Sequence, residues 1–127
     1  MDADDGGRNN RWYCVKIADR RGGLPVATAE DVRRAVSAAF PEADRPAALV
    51  ALRGYTMRRE SSRIRLAILV LADGDVAEVE RLVTAANEDY RDLLYWAEYP
   101  VESGTGTKRQ MAARYRRLGV AVPSELA

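Results

Sequence analysis

Arg63-Ile64-Arg65-Leu66-Ala67-Ile68-Leu69-Val70-Leu71-Ala72 holds the longest apolar run in the chain, and its reading decides the fold. Ile64, Ala67, Ile68 and Leu71 fall at i, i+3, i+4 and i+7, while Leu66, Leu69 and Val70 make the second half apolar almost all round. That periodicity suits a central helix, and it also suits a strand buried on both faces. The Leu and Ala content favours the helix. The alternative is an α+β domain with 63–71 as a buried strand.

Outward from this run, Asp73-Gly74-Asp75 is a turn. Asp75 is placed to cap a further helix, with Glu78 three residues on as a capping-box variant. Val76, Val79, Val83, Ala86, Tyr90, Leu93, Leu94 and Ala97 carry a helical stripe to Pro100, as one helix over about 75–98 or two joined near Asn87. With the preceding run this makes a helical hairpin over about 60–98. Beyond it, Thr107 opens a last helix with a Met111, Tyr115 and Leu118 seam that Gly119 closes, and Val120 to Pro123 form a tail able to pack back.

Upstream, Thr28 is a cap residue before Val32, Ala35, Val36 and Ala39, which predicts a helix over about 29–40. Asp44 and Pro46 open another that runs to Gly54. Arg11 to Ala18 is rich in aromatic and β-branched residues, with Tyr13, Val15 and Ile17 on one side of an extended alternation, so a short strand or arm is expected there. Residues 1–10 are expected to be a disordered lead and 11–127 a single helical domain. The fold class is mainly α, a compact bundle of about five helices with an N-terminal arm.

A chain of 127 residues suits one core. It contains no histidine and a single cysteine, Cys14. The commonest general base, the usual zinc ligands and any Ser-His or Cys-His pair are therefore missing from the chain. No internal disulfide can form, no apolar run approaches the length of a bilayer span, and the acidic start carries no signal sequence, so a cytoplasmic protein is expected. Gly104-Thr105-Gly106-Thr107-Lys108 has Thr where a phosphate-binding loop needs Gly before the lysine, and Arg109 where it needs Ser or Thr after it. The carboxylates of Asp73, Asp75, Glu78 and Glu80 lack the twelve-residue spacing of a calcium loop. Neither catalytic nor metal residues are assigned, and no cofactor is expected.

The formal net charge of +1 comes from 20 basic and 19 acidic residues, but the charge is segregated. Residues 1–72 carry 13 basic and 9 acidic residues, net +4; residues 73–102 carry 2 and 9, net −7; residues 103–127 carry 5 and 1, net +4. Two basic sets are candidates for meeting phosphates or an acidic protein: Arg58, Arg59, Arg63 and Arg65, and Lys108, Arg109, Arg114, Arg116 and Arg117 on the last helix.

The most distinctive stretch is Tyr90-Arg91-Asp92-Leu93-Leu94-Tyr95-Trp96-Ala97-Glu98-Tyr99-Pro100. On a helix, Tyr90, Leu93, Leu94 and Ala97 share one face, and Asp92, Tyr95, Trp96 and Tyr99 another, with Glu98 alongside. Trp, Tyr and charged neighbours are the usual anchors of protein interfaces. Residues from about 28 to 100, above all Arg63 to Leu69, Gly74-Asp75 and Asp89 to Pro100, resemble a group of small bacterial hypothetical proteins in which a helical hairpin ends in a similar aromatic and acidic motif. The resemblance covers about half of the chain; it implies a helical fold and carries no activity.

The expectation is thus a non-enzymatic protein-interaction or accessory module that docks, on another protein or on its own copies, through Asp92, Tyr95, Trp96, Glu98 and Tyr99. The alternative is a nucleic-acid-binding accessory protein that uses Lys108, Arg109, Arg114, Arg116 and Arg117. No membrane partner is expected.

Overall fold

The computed structural model describes residues 27–58 and 60–126. The expected lead at 1–10 and arm at 11–18 lie outside these residues. Among the described residues there are seven α-helices and no strand: α1 Ala29–Ala39, α2 Arg45–Arg53, α3 Ser61–Ala72, α4 Val76–Glu88, α5 Tyr90–Glu98, the single turn α6 Pro100–Ser103, and α7 Lys108–Arg117. Short 3-10 turns at Glu42–Asp44 and Ser124–Leu126 complete them. The ambiguous apolar run is a helix, and the buried-strand alternative is set aside.

Its burial explains its composition. α3 packs against α1, α4, α5 and α7 at once, and Ile64, Leu66, Ala67, Ile68, Leu69, Val70 and Ala72 are all buried. A helix surrounded by other helices has no polar face to keep, so its sequence loses the amphipathic stripe that would have distinguished it from a strand. α2 packs on α4, and α4 on α5, which closes the layer around α3.

Caps set most of the boundaries. Thr28 and Asp31 form a reciprocal capping box at α1, and Thr107 and Gln110 another at α7. Asp75 caps α4 by accepting from the Ala77 amide; Glu78 does not complete a box as expected, because its carboxylate takes Arg81 instead. The run over 75–98 is two helices joined near Asn87, and the break itself falls at Asp89. Asp89 adopts an extended backbone, φ −158 and ψ 102, ends α4, and accepts from the Arg91 amide to start α5. Pro100 both ends that run and opens α6, since its missing N–H costs nothing in a first turn.

Three helix C-termini are finished by an arginine from elsewhere. Arg45 donates to the Ser37 and Phe40 carbonyls at the end of α1, at 3.1 and 3.0 Å. Arg65 donates to the Leu52 and Tyr55 carbonyls at the end of α2, at 3.2 and 3.0 Å. Arg114 reaches the Val70 carbonyl near the end of α3 at 3.2 Å. The last carbonyls of a helix lack intrahelical donors and carry the negative end of its dipole, so a guanidinium satisfies both needs. At the α2 end, Asn87 of α4 adds a clip, donating to the Gly54 carbonyl and accepting from the Thr56 amide.

Both ends of α3 carry left-handed, non-glycine residues, Glu60 at φ 50 and Asp73 at φ 51. Asp73 is held there by its carboxylate, which meets Arg117 at 3.1 Å and Arg114 at 3.7 Å and so ties the α3–α4 turn to α7. The tail folds back as expected: Leu126 is buried, and the Tyr99 hydroxyl donates to the Glu125 carboxylate.

Candidate functional site

The face of α5 that carries the aromatic and acidic residues is divided by the fold. Leu93, Leu94 and Ala97 are fully buried against the core, as their spacing requires. Asp92, Tyr95 and Trp96 are half-buried, and Tyr95 and Trp96 pack in part against the core. Glu98 and Tyr99, expected beside them on an exposed face, are instead buried at 2% and 5% exposure.

The reason for the burial of Glu98 is Arg63. The guanidinium donates Nε and Nη2 to the two carboxylate oxygens at 3.0 and 2.6 Å, a bidentate pair between α3 and α5, with Glu60 a further 3.8 Å from Arg63. Two complementary forks aligned this way are what makes a charge tolerable inside a fold. Tyr99 stays next to Tyr95, ring centroids 6.3 Å apart and tilted by 30°, but its hydroxyl is engaged with the tail.

What remains accessible is Asp92 with Tyr95 and Trp96, one turn apart on the same helix. Burial pushes the Asp92 carboxyl above its usual range, and the neighbouring charges of Asp89 and Glu88 add to this against the opposing pull of Arg91. Arg91 itself is turned to Asp89, at 3.0 Å. Asp92 makes no side-chain hydrogen bond or ion pair among the described residues. A carboxyl whose folded-state pKa is raised contributes less stability as pH rises through its titration range. Asp92→Asn is accordingly expected to raise the urea midpoint at pH 7 and to leave it nearly unchanged at pH 3, where both side chains are neutral.

The basic candidates separate in a similar way. Arg63 and Arg65 are internal: Arg65 also donates to the Ser61 hydroxyl and lies over the Tyr55 ring, 5.6 Å from its centroid. They do not form a phosphate-facing patch with Arg58, which is exposed; Arg59 lies outside the described residues. On α7, Arg114 and Arg117 are directed to the end of α3, and Lys108, Arg109 and Arg116 are exposed. The glycine loop before α7 is a linker, in which Thr105 donates to the Trp96 carbonyl and Thr107 caps the helix.

The cleft beside Asp73 is lined by Ala38, Leu69, Gly74, Arg114, Arg117 and Leu118 and holds about 120 Å³. That is well below the several hundred Å³ of a typical small-molecule site. No helix among the described residues is long and apolar enough to cross a membrane. Sequence reasoning missed Val101, 61% exposed on α6 just beyond the aromatic helix. The signal was Pro100, which opens a helix as readily as it stops one.

No family model, curated protein or solved structure matches the chain.

Proposed function

We propose that the chain is a non-enzymatic interaction module that docks another protein on the α5 face formed by Asp92, Tyr95 and Trp96. The observation that carries this is Asp92, a half-buried carboxyl that makes no side-chain hydrogen bond or ion pair among the described residues and stands one turn from the half-buried Tyr95 and Trp96. A partner that brings a cation to it would pair with this carboxyl on binding. Tyr95 and Trp96 beside it supply the rigid apolar area that dominates interface energies. A cytoplasmic setting is part of the proposal and rests on the lone cysteine.

The test is comparative capture from the native host by the full-length chain and by its Asp92→Lys and Trp96→Ala variants, each confirmed folded by circular dichroism. A partner retained by the native chain and lost with both variants is the expected result. A partner retained equally by all three, or none by the native chain, contradicts it.

The second reading is nucleic-acid binding through α7, favoured by the three exposed cations Lys108, Arg109 and Arg116. Arg114 and Arg117 are partly neutralised by Asp73, which leaves a footprint of about three phosphates and a shallow salt dependence. Retention on heparin that persists above moderate salt and is abolished by Lys108→Glu with Arg109→Glu would favour this reading over the first.

A further inference from the structure

α2 is polar only at its ends. Between Arg45 and Arg53 it reads Pro-Ala-Ala-Leu-Val-Ala-Leu, without one polar side chain. The core accounts for part of that composition, since Ala48 and Leu52 are buried and Leu49 and Ala51 are half-buried. Pro46, Ala47 and Val50 are exposed, and Val50, at 62%, is the most exposed large apolar side chain among the described residues. Three and four residues apart, they share one face of the helix. A helix that packs a single side on the core carries polar residues on the other, and α2 does not. Arg45 does not make up for this, because its guanidinium is turned to the Ser37 and Phe40 carbonyls of α1.

Charge frames this face. Glu42 and Asp44 stand in the 3-10 turn that leads directly into α2, Arg53 closes the helix, and all three are exposed. None of the three side chains enters a hydrogen bond or ion pair among the described residues. A helix with acids at one end, a cation at the other and an apolar face between them is complementary to itself in reverse. Turned about a two-fold axis through the middle of α2, the acidic end of one helix lies against Arg53 of the other, Ala47 meets Val50, and the two helix dipoles run antiparallel. The small Ala47 side chain lets the two axes approach to about 8 Å.

We propose that two copies of this chain associate through the outer face of α2, packed antiparallel, with Val50 near the two-fold axis and Glu42 of each copy beside Arg53 of the other. A pair of nine-residue helices covers less than the roughly 1,200 Å² of a stable interface, so the dimer is weak and its population is set by concentration. The proposal uses no residue of the α5 face and does not rest on the reading of that face.

The test is sedimentation velocity of the full-length chain from about 10 μM to about 1 mM, the range in which a weak interface is populated. The native chain is expected to pass from monomer to dimer. Val50→Glu raises the dissociation constant by about tenfold or more, whereas Val101→Glu, at an equally exposed valine on α6, leaves it unchanged. Charge reversal reads the antiparallel pairing. Glu42→Arg and Arg53→Glu each weaken self-association several-fold, because like charges then meet at both ends of the contact. An equal mixture of these two variants associates at least as tightly as the native chain, since every end contact between them joins opposite charges. All four positions are exposed or at a turn, and circular dichroism checks that each variant is folded. A chain that stays monomeric throughout, a dimer that ignores Val50→Glu or is weakened as much by Val101→Glu, or a mixture no tighter than its single variants overturns the proposal.

Discussion

Glu98→Ala is expected to destabilise the fold by about 3 kcal/mol, the lower end of the range for removing one partner of a buried ion pair. The loss is large because Arg63, with a side chain only 15% exposed, is left without the carboxylate that engages its fork. It stays at the lower end because Glu60 remains 3.8 Å away. For a chain of this size the melting temperature falls by roughly 10 °C. The companion variant Arg63→Met with Glu98→Leu removes both charges and is expected to recover most of the loss, since an apolar pair of similar volume incurs no desolvation. Urea unfolding followed at 222 nm checks both. A single variant as stable as the native chain would show that the pair does not hold α3 to α5.

The second large effect concerns the central helix. Ile68 is fully buried where α3 meets its neighbours, and Ile68→Ala should cost about 3 to 4 kcal/mol, combining lost transfer energy with a cavity the surrounding helices cannot close. Leu71 on the same helix is only half-buried, so Leu71→Ala should cost roughly half as much. The same urea experiment decides it. Equal losses at the two positions would contradict the difference in burial between them.

Local chemistry was legible in the sequence and long-range pairing was not. Thr28 with Asp31, Thr107 and Gly119 announce helix ends because a cap acts over three residues, and all three ends stand where they were expected. The break near Asn87 is legible, but its exact residue, Asp89, is masked by the apolar stripe that runs through it, although an Asp three residues before a second Asp is itself a cap signal. Glu98 could not have been placed: a charge beside three aromatics on a helix reads as exposed, and the arginine that buries it is 35 residues away in the chain. The arginines show the same limit. Counted by segment they form basic blocks, whereas in space Arg45, Arg65 and Arg114 terminate helices to which they do not belong. The segregated charge of +4, −7 and +4 is thus partly structural, spent on Arg63 with Glu98 and on Arg114 and Arg117 with Asp73. Among the described residues, Asp92 on α5 and Lys108, Arg109 and Arg116 on α7 are among the charges that enter no such pair.

The account turns on whether Tyr95 and Trp96 form a surface or a piece of core. The direct measurement is acrylamide quenching of Trp96 in the Trp12→Phe chain, in which Trp96 is the one remaining indole, on a sample proven monomeric by light scattering. The account predicts quenching at the level of a partly accessible indole, with emission at a longer wavelength than that of a core tryptophan. Blue-shifted emission and protection from acrylamide would contradict it.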